Sequence, residues 1–562
     1  EIDDSSLNKG FEPTPPEMPK TKEESTAIVQ DGSPLNKKVL LGSIIFIVVA
    51  MASFQLSDSD VSIESPSVNR EQAIDIAEDF LVTQNITLAE GYEGNAMVVT
   101  GYPASDFIWE ELGSDTFNNL LGSYVLAPRW KVRFAKFDGE VETRAREVIV
   151  SVDFKGNPIR FYNKFPENEI GASLSQSDAK VIADQALSDH FNLSTSMVSL
   201  VSAVESQKPE RLDWIFTYAE DREIDYEGSQ FQNIITVSGD QLAGFSQSVY
   251  IPEEWERMKR DREGFSGILA MLFTIPGGLF IGGLLLIRSF KMLMDRKVNL
   301  RKGALFGGIL LISGIVNFFN DSSFLMTLPT DQPIANLMSI TYISTIAGIL
   351  IIGLAQALFF GSLGTMLKST INRSSLSDSI TGGLVAALLV ATSAMLIGTF
   401  QLDLNPNFPR ITLGGSYYPI LDTFNIYGGL FISVAFSLFF AKTLFEWTDG
   451  YSNNIKSNIY GILLVMFVYG GEIGMQYNIG LSLVLITLYS IVLFMIYKFI
   501  IKNNYMLIPF MVLFARVIDI FAGNELGAFN SYPNETILLG VSYTIGLVVW
   551  TQLTKFFFDT DQ

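Results

Sequence analysis

Hydrophobic and polar positions divide the chain into regions of different period. Residues 1–38 are polar, with five prolines among the first 36 and few large apolar side chains, and read as a disordered tail. Val39–Phe54 is a short apolar run placed directly after Lys37-Lys38, which fits a membrane anchor over 39–55 with snorkelling lysines. Ala50-Met51-Ala52 matches a signal-peptidase site, but the long leading tail is unlike a signal peptide and favours an uncleaved anchor. From residue 264 the pattern turns to long apolar segments. We place nine, near 265–287, 303–319, 336–366, 379–400, 423–445, 458–478, 480–501, 506–522 and 536–554.

Between anchor and bundle, residues 57–263 mix two periods. Ala73, Ile76, Ala77, Phe80 and Leu81 fall on one helix face after Asn69-Arg-Glu-Gln72, a helix cap with Gln in the reciprocal position. Ala179, Ile182, Ala183 and Leu187 do the same after Ser175-Gln-Ser-Asp178. Strand patterns follow each helix. Trp130-Lys-Val-Arg-Phe134 matches Trp214-Ile-Phe-Thr-Tyr218, and turns at Lys155-Gly156-Asn157 and Ser238-Gly239-Asp240 follow at similar spacing. The copies close on Phe165-Pro166-Glu167 and Ile251-Pro252-Glu253. The pattern therefore predicts two repeats, 57–168 and 169–263, each one helix followed by an antiparallel sheet of three or four strands.

The expected fold is thus multi-domain. An α+β extracytoplasmic domain of two helix-plus-sheet repeats precedes a polytopic α-helical bundle over 264–562, with about ten transmembrane helices in all. Orientation follows from the cations. With the tail inside, the inner loops and helix ends carry Arg288, Lys291, Arg296, Lys297, Arg301, Lys302, Lys368, Arg373, Lys442, Lys456, Lys498, Lys502 and Lys555, while the outer loops carry only Arg410. Both termini are then cytoplasmic, residues 57–263 lie outside, and the expected location is the plasma (inner) membrane.

Composition narrows the chemistry. Of 562 residues 48% are hydrophobic and 17% charged, which suits a membrane protein. There is no cysteine, so disulfides, thiolate metal sites and a cysteine nucleophile are excluded. The single histidine, His190, excludes any multi-histidine metal site, and its place near the end of a helix suits the negative end of the helix dipole. The net charge of −21 argues against nucleic acid. That charge is uneven: residues 264–562 hold 15 basic and 14 acidic side chains, leaving 23 basic and 45 acidic in the first 263. No Walker loop is present, and Gly277, Gly278, Gly282 and Gly283 read as small residues for close helix packing.

Ionisable groups inside apolar segments are the candidates for chemistry, because burying them in lipid is costly. Lys442 and Glu446 stand at i and i+4, Glu472 sits among glycines, and Arg516 and Asp519 are three residues apart. Each has a plain structural reading as well: snorkelling, an outer loop, and a helix-face ion pair.

The helix-then-sheet repeat resembles the PepSY-like module of extracytoplasmic propeptides and sensors, which inhibit, gate or bind peptides. The layout over roughly 65–560 resembles the CPBP family (CAAX protease and bacteriocin-processing) of glutamic-type intramembrane proteases. The residues carrying the likeness are Trp130–Phe134, Asp221–Tyr226, Val249–Trp255, and the loop Leu325–Pro333 leading to Thr341-Tyr342. The family uses Glu-Glu-x-x-x-Arg, Phe-x-x-x-His and His-x-x-x-Asn/Asp motifs to activate water. Here Ala441, Lys442 and Glu446 stand where the two glutamates and the arginine would be. Gly471 follows Phe467 in place of the first histidine, beside Glu472. Ala515 replaces the second histidine, ahead of Arg516 and the retained Asp519. The resemblance thus implies a protease-like scaffold with a degenerate site: a non-catalytic binding or regulatory membrane protein, with no cofactor, whose partners are the bilayer and a peptide or membrane protein. Two alternatives stay open. One is an active intramembrane endopeptidase whose shifted site, Glu446, Glu472 and Asp519, binds a hard metal. The other is a transporter with a polar path through Lys442, Arg516 and Asp519.

Overall fold

The fold comes from a computed structural model, which describes residues 40–45, 66–101, 103–140, 144–321, 323–330, 334–367, 375–398, 417–470, 479–502, 504–522 and 533–559, and the single positions 47, 61 and 406. The tail, most of the expected anchor, and Gly471 and Glu472 lie outside the described residues.

The extramembrane part is one eight-stranded antiparallel sheet. Its elements run α1 (Arg70–Thr83), β1 (Glu93–Val99), α2 (Pro103–Leu120), β2 (Arg129–Ala135), β3 (Glu147–Val152), β4 (Pro158–Lys164), α3 (Gln176–Phe191), β5 (Val198–Gln207), β6 (Leu212–Glu220), β7 (Gln230–Ser238) and β8 (Gln241–Tyr250). The strand order is β1-β2-β3-β4-β8-β7-β6-β5, so two meanders meet edge to edge at the β4–β8 seam. Alternation sets the faces. Trp130, Val132 and Phe134, with Val148, Val150 and Val152, turn toward α1, while Phe216, Tyr218, Ile235 and Val237 turn toward α3.

Local chemistry starts each half in the same way. Asn69 and Gln72 form a reciprocal capping box on α1, at 3.0 and 2.9 Å, and Ser175 caps α3 through the Asp178 amide. The indole of Trp130 donates to the Val68 carbonyl at 3.0 Å, and that of Trp214 donates to the Leu174 carbonyl at 3.0 Å. Each acceptor immediately precedes its helix cap. The two hairpin turns hold Gly156 at φ +95° and Gly239 at φ +63°, where an L side chain would be strained.

α2 was not foreseen. Its sequence breaks at Gly113, whose backbone is non-helical, so neither half shows a long apolar period. Its burial comes from afar: Phe107 and Phe117 pack with Phe231, Val249 and Trp255.

α4 (Glu253–Met294) leads out of the sheet and into the bundle as one helix, about 63 Å long at 1.5 Å per residue. That is about twice the thickness of a hydrocarbon core, and its polar first turns pack on α2 instead. Arg262 forms a two-pronged pair with Glu110 at 2.7 Å per bond, Trp255 Nε1 donates to Glu111 at 2.8 Å, and Lys259 pairs with Asp106. Then follow α5 (Leu300–Asn320), α6 (Ile334–Met366), α7 (Leu376–Gly398), α8 (Pro419–Trp447), α9 (Ile455–Tyr469), α10 (Ile479–Met495, continued by a π-turn at Ile496–Ile501), α11 (Leu507–Ala522) and α12 (Pro533–Phe558). Among the described residues six helices are long and apolar enough to cross a membrane. α6 is apolar all round, with Ile343, Ile351 and Leu354 about two-thirds exposed, as a lipid-facing helix requires.

The bundle is tied by small residues and aromatic stacks. Gly303 and Gly307 of α5 lie against Ala357 of α6, so close that any Cβ would collide with its backbone carbonyl or methyl. Of the α4 glycines Gly277, Gly278, Gly282 and Gly283, Gly277 has this role, lying against Phe467 and Val468 of α9; a Cβ on Gly278, Gly282 or Gly283 would meet nothing within 4 Å. Phe306 stacks on Phe360 at 4.3 Å, and Phe431 on Trp550 at 4.5 Å. Leu40 and Ile47 also pack on this core.

His190 lies in the last turn of α3, with its ring stacked on Phe245 at 4.0 Å. Burial lowers its pKa, and Asp189 opposes the shift. The unfolded chain therefore takes up the proton first as pH falls below about 6.5. The stacking contribution is complete above that value and is lost below it. Thermal unfolding of the full chain at pH 7.5 and 5.5 should show a larger loss of Tm for the wild type than for His190→Phe.

Candidate functional site

Two polar constellations stand out: one inside the bundle, and one where the sheet meets it. The first grows from α8. Its last turns place Lys442 and Glu446 on one face, Nζ to Oε1 at 2.9 Å. α4 supplies Arg288, whose Nη1 donates to Glu446 Oε2 at 3.0 Å and whose guanidinium lies 5.5 Å from the Phe439 ring. Each carboxylate oxygen of Glu446 is thus held by a cation. Ala441 is fully buried in the core.

Arg516 and Asp519 pair on α11 at 2.5 Å, and Ala515 beside them is half-buried. They do not share the depth of Glu446. Lys498 donates to the Ser452 carbonyl at 3.2 Å and to Asn458 at 2.9 Å, which puts the end of α10 beside the α8–α9 turn. α11 begins at Leu507 shortly after, so Arg516 stands about 14 Å along the helix from that level. Among the described residues no three Asp, Glu, His or Cys side chains gather closely enough to hold a metal ion. Gly471 and Glu472 fall outside the described residues.

Arg288 was read only as an inner-loop charge. Nothing in the pattern links it to Glu446, because the contact joins two helices 158 residues apart.

The second constellation centres on Arg133. β2 alternates, so Arg133 leaves the sheet on the face opposite Trp130, Val132 and Phe134. Its Nε donates to Glu147 Oε2 on β3 at 2.9 Å, and its Nη2 lies 2.7 Å from the same oxygen. Nη1 donates to the Leu325 carbonyl at 2.7 Å and Nη2 to the Leu328 carbonyl at 2.8 Å, both in the α5–α6 connection. Thr330 of the same connection donates to Glu147 Oε1 at 3.1 Å, and Lys164 reaches that oxygen at 3.4 Å. Ala135, Phe137 and Leu328 close over the pair. The side chains are 6% and 13% exposed. Burial alone would raise the Glu147 pKa, but Arg133, then Lys164 and Thr330, outweigh it and hold the carboxyl below its usual range. A second contact joins sheet and bundle nearby, where the Arg70 guanidinium lies 4.5 Å from the Tyr417 ring, just before α8.

In the sequence Arg133 and Leu325 fall in two separate segments, and no local pattern joins them. The available signal was an arginine on the open face of a strand whose other face is wholly apolar.

No family model matches the chain, and no curated protein or solved structure matches it either.

Removing Arg133 leaves Glu147 and two carbonyls facing each other. Arg133→Ala should lower stability by about 3 kcal/mol, the scale of a broken buried pair, read by thermal unfolding of the full chain in detergent. Hydrogen exchange at 323–330 should rise at least tenfold in that variant. Acid should do the same to the wild type. The depressed carboxyl contributes fully above about pH 4.3 and loses its contribution as pH falls through the folded value. Exchange at 323–330 that is unchanged in the variant and at low pH would count against the clasp.

Proposed function

We propose that this chain is a polytopic membrane protein that binds or regulates rather than hydrolyses, with the sheet domain as its extracytoplasmic sensing part. The observation that carries this reading is the state of Glu446. A carboxylate held by two cations is a weaker base than an unpaired one. Both Glu446 oxygens are engaged by Lys442 and Arg288, and Asp519 is engaged by Arg516. No histidine follows residue 190 to take the proton instead. A scaffold similar to the CPBP proteases, without their base, accounts for these positions together with the length and number of the apolar helices.

The same reading takes the sheet domain as a PepSY-like duplication. The two indole-to-carbonyl bonds ahead of the two caps, and the mirrored strand order, support it. It also takes the number of crossings as ten. Among the described residues, the α5–α6 connection touches the sheet domain through Leu325 and Leu328 and the α7–α8 connection through Tyr417, and strict alternation puts both on the outer side. Lys302, at the start of α5, donates to the carbonyls of Phe557 and Asp559 at the end of α12, as two inner ends would. A peptide held by the sheet domain would then act on the bundle through the Arg133 clasp and α4.

Two measurements test this. The chain has no cysteine, so single replacements report sidedness on a clean background. Thr327→Cys should react with an impermeant maleimide from outside, and Lys297→Cys and Asn453→Cys only after permeabilisation. Purified protein in nanodiscs should leave quenched-fluorescent transmembrane peptides uncleaved. Turnover that disappears in Glu446→Gln would restore the peptidase reading.

A further inference from the structure

The two edges of the sheet differ. At one edge β1 packs against the Ser323–Met326 turn of the α5–α6 connection. At the other, β5 ends the strand order, and among the described residues no strand lies beyond it. Native sheets protect such an edge with lysine, with proline or by keeping it short. β5 runs for 10 residues, Val198–Gln207, and holds no lysine, arginine or proline. Its register shifts between Leu200 and Ser202, so the regular stretch is Ser202–Gln207.

The β5–β6 hairpin fixes which backbone groups face outward. Lys208 donates to the Arg211 carbonyl at 2.9 Å, which makes these two a hydrogen-bonded pair. The next pair, Gln207 and Leu212, is then of the other kind. Leu212 indeed turns its groups away from β5, its N–H to the Ala172 carbonyl and its C=O to the Gly239 amide. By the same alternation Ser202, Val204 and Ser206 bond to β6, while Ala203, Glu205 and Gln207 direct N–H and C=O to the open side. A strand laid there meets three donors and three acceptors.

The side chains state what that strand should be. On the open face Val204 lies directly opposite Ile215, and the two are 53% and 40% exposed. On the helix face Glu205, opposite Trp214, is the only charge of β5. A docked strand alternates its own side chains between these faces. Apolar residues then fall beside Val204, and the others fall beside Glu205, where a cation is favoured. Residues 1–263 hold 45 acidic against 23 basic side chains, which attracts the same sign of partner at longer range. A second copy of the chain fits less well. Six residues at about 3.4 Å each, in a layer about 10 Å thick, offer roughly 200 Å², against about 800 Å² per partner in a stable protein pair.

We propose that the Ser202–Gln207 edge of β5 binds an extended peptide by strand addition, with apolar side chains of the peptide beside Val204 and a basic one beside Glu205. The inference rests on the reading of the sheet domain as the part that holds a peptide, and adds the place, the backbone geometry and the charge of that peptide.

The test uses the full chain in phosphatidylcholine nanodiscs and a fluorescein-labelled octapeptide alternating valine and lysine, read by anisotropy against empty nanodiscs. Hydrogen exchange over the sheet domain is read with the same octapeptide and, separately, with a pool of randomised octapeptides. Binding should saturate, and exchange at 198–207 should slow about tenfold. Glu205→Pro removes an outward N–H and no ladder bond, so it should weaken binding at least tenfold at unchanged Tm. Glu205→Gln should weaken it a few-fold. The octapeptide N-methylated at every residue keeps its side chains and should not bind, a result that needs no protein variant. Binding that neither proline nor N-methylation weakens, or protection that falls elsewhere on the domain, overturns the edge and leaves the peptide reading standing. Protection by the pool without binding of the valine–lysine octapeptide does the same. Binding of neither probe overturns both.

Discussion

The Arg133 guanidinium is committed wholly within the protein, and the relation between the two parts of the molecule rests on that commitment. Two of its nitrogens meet one carboxylate oxygen on the neighbouring strand, and its outer nitrogens meet two carbonyls of a connection nearly two hundred residues later. A connection leaving a lipid-embedded helix must satisfy its backbone groups as soon as that helix ends. Here the sheet supplies the donors. The clasp also explains why Glu147 is tolerated in a nearly closed site: a buried carboxylate is costly unless it is paired and fully hydrogen-bonded. Arg70, which reaches Asn95 directly opposite Arg133 in the strand register, lies over the Tyr417 ring and adds a second contact beside the clasp, while Glu110 of α2 holds Arg262 of α4.

What was legible in the sequence is what depends on short-range period. The Trp130 and Trp214 strands, both helix caps and both glycine turns could be read because alternation, capping and positive φ are local demands. The apolar runs were legible for the same reason, within a few residues of α5 to α8 and α10 to α12. The rest is set by contacts distant in sequence. α2 is stable because Phe231, Val249 and Trp255 cover it, and no window of its own sequence contains them. α4 reads as an apolar span with a polar approach, but its continuity from Glu253 depends on carboxylates of α2 waiting for Lys259 and Arg262. In the bundle, Lys442, Glu446, Arg516 and Asp519 were all legible, yet the second cation on Glu446 is Arg288 on another helix.

The chemistry of the bundle and the chemistry of the sheet differ in the same terms. In the bundle Glu446 and Asp519 each meet a cation at close range, so their charge is compensated inside the protein. On the open face of the sheet Arg129, Lys131 and Arg160 line one cavity. β2 carries both arrangements two residues apart. Arg133 is saturated by Glu147 and the α5–α6 connection, while Lys131 faces the cavity. The two share one electrostatic neighbourhood, since Lys131 feels both Arg133 and Glu147.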